Sequence, residues 1–117
     1  MPARMRLQLA AEAEGDLQAI YNRRLKQRGA DGPDGADALL DTLYAAIETL
    51  SEYPFRGPNP PELDALGSAE WRQISLWPYR VIYTVEGDVV TIAVVADSRR
   101  DFASLLERRL LQRAPRS

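Results

Sequence analysis

"WRQISLWPYRVIYTVEGDVVTIAVV", residues 71–95, is the stretch whose reading decides the fold. Within it, "YRVIYTVE" and "DVVTIAVVA" are dominated by β-branched and aromatic residues, which fit a pleated, half-buried surface. The second run is almost continuously apolar, as a strand covered on both faces should be. "EGD" joins them, with Gly87 supplying the positive φ of a tight hairpin turn. "EWRQISLW" in front is a third strand candidate, and the three in succession predict an antiparallel meander. Alternation along residues 79–84 places Tyr79, Val81 and Tyr83 on one face and Arg80, Ile82 and Thr84 on the other.

Upstream lies "YPFRGPNPPELDALG", residues 53–67, whose four prolines remove backbone donors and predict neither helix nor central strand. Where the proline-rich segment 54–61 runs is not legible from its composition. Before it, Leu17, Ile20, Tyr21 and Leu25 recur at helical spacing between Glu12 and Arg28, with Glu12, Glu14 and Asp16 favourably placed at the helix N-terminus. "RGADGPDGAD" interrupts that helix. A second follows, with Asp34 as its expected cap, Asp37 in its first turn, and Ala36, Leu39, Leu40, Leu43, Ile47 and Leu50 as its apolar stripe. Two such helices joined by a short loop predict an antiparallel hairpin. At the N-terminus "RMRLQL" alternates in the manner of a strand with one buried face.

Downstream, Ser98 and Asp101 have the spacing of a capping box, and Phe102, Leu105, Leu106 and Leu110 form the apolar face of a final helix. The expected order is β-α-α-β-β-β-α. That is an α+β domain in which a helical hairpin packs on a small, mainly antiparallel sheet. At 117 residues the chain, residues 1–117, is expected to form one domain.

The chain lacks both cysteine and histidine. Disulfides, thiolate chemistry, imidazole bases and His-based metal sites are thereby excluded, and no cofactor is expected. No apolar run approaches the roughly 20 residues of a membrane span, and the N-terminus lacks a signal-peptide core. Net charge is −2, yet it is unevenly spread. Acids outnumber bases between residues 11 and 70, whereas from Arg99 onward Arg99, Arg100, Arg108, Arg109, Arg113 and Arg116 face only Asp101 and Glu107. A basic end of this kind is either a solvated helix face or a surface for an acidic partner or phosphate backbone.

"VVADSRRDF", residues 94–102, poses the sharpest question: two adjacent cations follow a buried strand. If Ser98 caps the last helix, Arg99 and Arg100 lie in its first turn and oppose its dipole. Compensation then has to come from Asp97 or Asp101, or from a partner. Trp71, Trp77 and Phe55 are candidate partner anchors, with Trp71 better read as core. Asp16, Asp41 and Glu48 read as solvated charges.

The order of elements, "YPFRG" after the second helix, the 71–95 meander and the following "RRDF" together resemble the RelE/ParE toxin superfamily of type II toxin–antitoxin modules. The likeness runs from Met5 to Leu106 and is closer to the ParE branch. It implies a cytoplasmic toxin, associated with plasmid stabilization, that a cognate antitoxin neutralises in a hetero-oligomer by wrapping an extended or helical segment around it. A small domain this rich in aliphatic residues is expected to leave apolar surface on the sheet and hairpin for the antitoxin to cover. ParE-like members bind and stall DNA gyrase; RelE-like members cleave mRNA on the ribosome. A member that binds antitoxin without toxicity is the third alternative. Many relatives carry histidine shortly before the arginine pair, where this chain has Asp97.

RNA cleavage needs a base, cations for the phosphorane charge and an acid. For a nuclease the candidates are Arg72, Arg80, Tyr83, Asp97 and Arg99, with Glu70 as a further proton carrier. Arginine is too basic to exchange protons readily, and Lys26 sits on the first helix. The residues expected to contact a macromolecular target are Arg80, Arg99 and Arg100. Arg80 has a second reading, as a sheet-edge residue whose stem covers apolar neighbours.

Overall fold

The computed structural model describes residues 4–67 and 70–111, so Arg113 and Arg116 lie outside the described residues. The elements are β1 (Arg6–Leu9), α1 (Ala11–Arg28), α2 (Ala36–Glu48) with a 3-10 turn at Thr49–Ser51, α3 (Pro61–Asp64), β2 (Arg72–Leu76), β3 (Tyr79–Glu86), β4 (Val89–Asp97) and α4 (Phe102–Leu106), which continues as a π turn over Glu107–Leu111. The fold is the expected α+β arrangement, with one element more. α3 overturns the expectation that the proline-rich stretch holds no helix: Pro61 stands at the first helical position, where its fixed φ suits a helix and no amide donor is lost.

The sheet order is β1-β4-β3-β2. β2, β3 and β4 form the antiparallel meander, while β1 lies parallel to β4. Gly87, at φ 59°, opens the β3–β4 turn. β4 is sandwiched on both faces. On one, the helical hairpin contributes Ala13, Leu17, Leu43, Ile47 and Leu50 to a core with Val81, Tyr83, Val90, Ile92 and Val95. On the other, Phe102, Leu105, Leu106 and Leu110 cover Ile82, Val94 and Ala96, with Leu63 of α3 and the half-buried Trp71. Each fully buried aliphatic side chain here contributes about 1.5–3 kcal/mol relative to exposure.

A β-bulge interrupts this strand. Tyr83 pairs with Ile92 and Ile82 with Val94, so Ala93 is an extra residue on β4. The bulge shifts the alternation by one position, sending Val94 toward α4 and Val95 toward the hairpin.

α2 does not use Asp34 as its cap. Its N-cap is Gly35, without a side-chain bond. The amides of Ala36 and Asp37 donate to Gly29 and Ala30 carbonyls at 2.9 and 3.1 Å, so backbone from the preceding loop satisfies the first turn. The Asp37 carboxylate instead accepts from the Tyr21 hydroxyl at 2.7 Å.

The proline-rich segment runs along the outer edge of β2. The Gln73 amide donates to Pro58 O at 2.9 Å, Asn59 Nδ2 to Trp71 O at 2.8 Å, and Arg72 Nη1 to Gly57 O at 2.7 Å. An edge strand open to pairing with other chains is thus covered by a segment poor in amide donors. At Gly57 the two backbones come so close that a β-carbon there would lie 2.1 Å from Gln73 O.

Candidate functional site

The chain's exposed arginine pair sits at the end of the sheet where β4 stops beside the β2–β3 turn. Trp77 and Pro78 form that turn, and Trp77 is 77% exposed. Ser98 ties the two loops together, its amide and hydroxyl both donating to Pro78 O, at 2.7 and 2.9 Å. Asp97 then organises the arginines. Its carboxylate accepts from the Arg99 amide at 2.8 Å, from Arg99 Nε at 2.9 Å and from Arg99 Nη2 at 2.5 Å. This fork fixes one guanidinium in solvent, 65% exposed, on a carboxylate only 15% exposed.

Arg99 and Arg100 do not lie in the first turn of α4, which corrects the expected Ser98 cap. The N-cap is Asp101, whose carboxylate accepts from the Ser104 amide at 3.2 Å and hydroxyl at 2.9 Å. The Ser-x-x-Asp spacing misleads because Ser98 bonds to Pro78 instead. Both arginines therefore precede the helix, and the nearest compensation comes from Asp97.

The Arg99 hydrogen bonds hold the Asp97 carboxyl well below the ordinary carboxylate range, at about 2. A folded-state value below the unfolded one stabilises the fold above the ordinary aspartate value, and that contribution is lost as pH falls toward about 2. A carbon-detected NMR titration of Asp97 is expected to show its midpoint near 2; a midpoint near the ordinary ~3.9 would contradict the pairing.

The other expected site residues are not brought to this end as one cluster. Register pairs Arg72 with Tyr83, on the face under the helical hairpin, and Arg80 with Ser75 and Ala96, on the α4 face. Arg72 and Arg80 therefore occupy opposite faces of the sheet and do not converge on one site. Arg72 donates to Phe55 O and Gly57 O, with its guanidinium 5.0 Å from the exposed Phe55 ring. Tyr83 is fully buried, and its hydroxyl accepts from the Gly57 amide at 3.1 Å. Burial pushes that phenol up from its ordinary value. Glu70 is exposed.

Arg80 is built into the interior, with its side chain 11% exposed. It donates to both oxygens of Glu62, at 3.0 and 2.6 Å, and to Gln73 Oε1 at 2.8 Å. Its guanidinium lies 3.7 Å from the Phe102 ring centroid. Hydrogen bonding from Arg80 lowers the Glu62 carboxyl. Glu62→Gln leaves this guanidinium without its counter-charge, and unfolding in urea is expected to show a loss of about 2–3 kcal/mol, somewhat below the roughly 3–5 kcal/mol of a fully buried pair. The deficit should shrink as pH falls below the range in which Glu62 ionises, because the native carboxylate is then neutral as well.

One structural pair escaped the sequence reading. Asp16 is not a solvated charge: its carboxylate accepts from the Val95 amide at 2.9 Å and from Arg109 Nη1 and Nη2 at 3.1 Å each. Arg109 Nη2 also donates to Ala93 O at 2.9 Å. β1 pairs with β4 only as far as Ile92, so beyond it these two side chains satisfy backbone groups of the bulged edge. A separation of 93 residues offers no local signal for such a pair.

Among the described residues no group of three or more His, Cys, Asp or Glu is placed to hold a metal ion, and no helix is long and apolar enough to cross a membrane.

A helical hairpin on a four-stranded sheet, with a basic loop at the end of the last strand, defines a small α+β domain. Its fold is shared by solved structures, among them two of toxin–antitoxin systems. The chromosomal ParDE toxin–antitoxin system from P. aeruginosa matches with a TM-score of 0.65 at 22% identity, over 80% of this chain and 96% of that one. The toxin–antitoxin complex RelBE2 from Mycobacterium tuberculosis matches with a TM-score of 0.57 at 19% identity, over 83% and 94%. No curated protein matches the sequence. The family model of the ParE toxin of the type II toxin–antitoxin system, parDE, matches residues 7–102, and the chain belongs to that family.

Proposed function

We propose that the chain acts in the cytoplasm as a single toxin domain that blocks DNA gyrase through surface contacts and is silenced by a cognate antitoxin. The observation that carries this reading is the state of the groups at the basic end. Arg99 and Arg100 are exposed; of the candidate proton carriers, Asp97 and Tyr83 are spent on the fold, and the exposed Glu70 precedes β2, at the end opposite the Trp77–Pro78 turn. Asp97, at about 2, is too weak a base to take a proton from a hydroxyl near neutral pH. Tyr83 is buried under the hairpin, and arginine keeps its proton. What remains is binding chemistry: two exposed guanidinium groups at the end of the sheet, that of Arg99 fixed by Asp97, with an exposed Trp77 on the neighbouring turn, the residue types that dominate interface energetics.

Membership of the ParE toxin family and the fold shared with a ParDE system support the same branch. Incubation of the purified protein with gyrase is expected to inhibit supercoiling and accumulate cleaved DNA. Codon-positioned mRNA cuts in a translation extract would instead assign the RelE-type endonuclease reading. Neither effect would leave a member that binds antitoxin without harming the cell.

A further inference from the structure

Past Val95, the edge of β4 opens into a cavity of about 130 Å³ between α1 and the end of the sheet. Ala19, Ile20, Tyr79, Val95 and Ala96 line it, together with Arg23 and Arg100. Two carboxylates also reach it, Asp16 and Asp97. Both are already engaged, Asp16 by Arg109 and Asp97 by Arg99. Arg23 and Arg100 are exposed and take part in no ion pair among the described residues, so they are the charges of the lining left without a partner. Near Asp97 the positive charge of Arg23 is felt directly, as one of the influences that lower its carboxyl.

We propose that this cavity receives a single carboxylate side chain from a protein partner, its methylene stem against Ala19 and Ile20 and its carboxylate between Arg23 and Arg100. This deepens the reading of the basic end as a contact surface and rests on it. The size is right for one side chain, since a water molecule's share of liquid volume is about 30 Å³. The chemistry is right for a carboxylate, which two guanidinium groups from different elements can grip with charge-assisted hydrogen bonds. A nucleic-acid strand is the poorer occupant. Polyphosphate binding gains its strength from many neutralised phosphates along a basic track, whereas this site offers two cations, on a chain of net charge −2, with Glu12 and Glu14 on the same helix.

The test is an amide NMR titration of the purified, ¹⁵N-labelled chain with three probes: the capped tripeptide Ala-Glu-Ala, its glutamine counterpart, and a thymidine dinucleotide. The Glu peptide is expected to shift the amides of Arg23, Ala96, Asp97 and Arg100 saturably. The glutamine peptide, and the Glu peptide on Arg23→Gln or Arg100→Gln variants, should bind at least about tenfold more weakly, as loss of a charge-assisted hydrogen bond implies. Retained spectral dispersion shows that each variant is folded, and Arg23→Lys should recover part of the affinity. Equal binding of the two peptides, no saturable shift at these amides, or tighter binding of the dinucleotide there would each overturn the proposal. Gyrase, antitoxin and toxicity play no part in this titration, so a chain that binds the Glu peptide but leaves gyrase running loses only the target assignment.

Discussion

Gly57→Ala is expected to destabilise the protein by more than about 3 kcal/mol, the range reserved for backbone and packing failures rather than lost surface contacts. The added β-carbon would stand 2.1 Å from Gln73 O and 2.8 Å from Gln73 C. Both are backbone atoms of an edge strand, so no side-chain rotation relieves the clash. Separating the segments disrupts three bonds at once: Gly57 amide to Tyr83 hydroxyl, Arg72 to Gly57 O, and Gln73 amide to Pro58 O. It would also leave the Tyr83 hydroxyl buried without a donor, at a cost of about 1–3 kcal/mol. Urea unfolding measures the loss. Gly15→Ala is the matched control: nothing lies within 4 Å of its added β-carbon, it sits inside α1, and it should stabilise by about 0.5–1 kcal/mol. A Gly57→Ala protein as stable as the parent would mean that the proline-rich segment does not press against β2.

Asp16→Ala is the second large effect, expected at about 2–4 kcal/mol, near the lower part of the roughly 3–5 kcal/mol range for removing one member of a buried ion pair. The substitution leaves Arg109, 14% exposed, with the more exposed Glu12 at 3.5 Å, and it strips the Val95 amide of its acceptor. Replacing Arg109 by Met in the Asp16→Ala background removes the stranded cation while keeping an apolar stem over the sheet. The double variant should therefore be more stable than Asp16→Ala alone, and a double-mutant cycle should report coupling of at least about 1 kcal/mol. Additive losses would show that the two side chains act separately.

These two sites mark where the sequence stopped being legible. The strand over residues 79–86 appears in the structure with the bounds expected of it, because its composition and flanking turns are local properties. The parallel placement of β1 against β4 and the bulge at Ala93 depend on packing between distant elements. Pairing of Asp16 with Arg109 depends on the same long-range geometry and reads as ordinary surface charge along the helix. The proline-rich segment is no central strand, as expected, but it does hold the short helix α3, which was not expected, and its path along β2 is set by a backbone contact at Gly57 that no pattern announces. At the basic end, the sequence located Arg99 and Arg100 and named Asp97 as a compensating charge, which the fork between Asp97 and Arg99 realises. It misjudged the cap because Ser98, Asp101 and Ser104 all have side chains that compete for nearby backbone. Arg80 admitted two readings; its bonds to Glu62 and Gln73 come from an unforeseen α3 and from β2.

The central claim is that guanidinium groups at the sheet end act by contact with a macromolecule and not by proton transfer. The most direct measurement is gyrase supercoiling in the presence of the wild-type protein and of a folded Arg99→Ala, Arg100→Ala double variant, with thermal unfolding run alongside. Inhibition by the wild type, lost in a double variant that still unfolds cooperatively with a Tm lowered only by loss of the Asp97–Arg99 fork, is the expected result. Undiminished inhibition by the folded double variant would contradict the account.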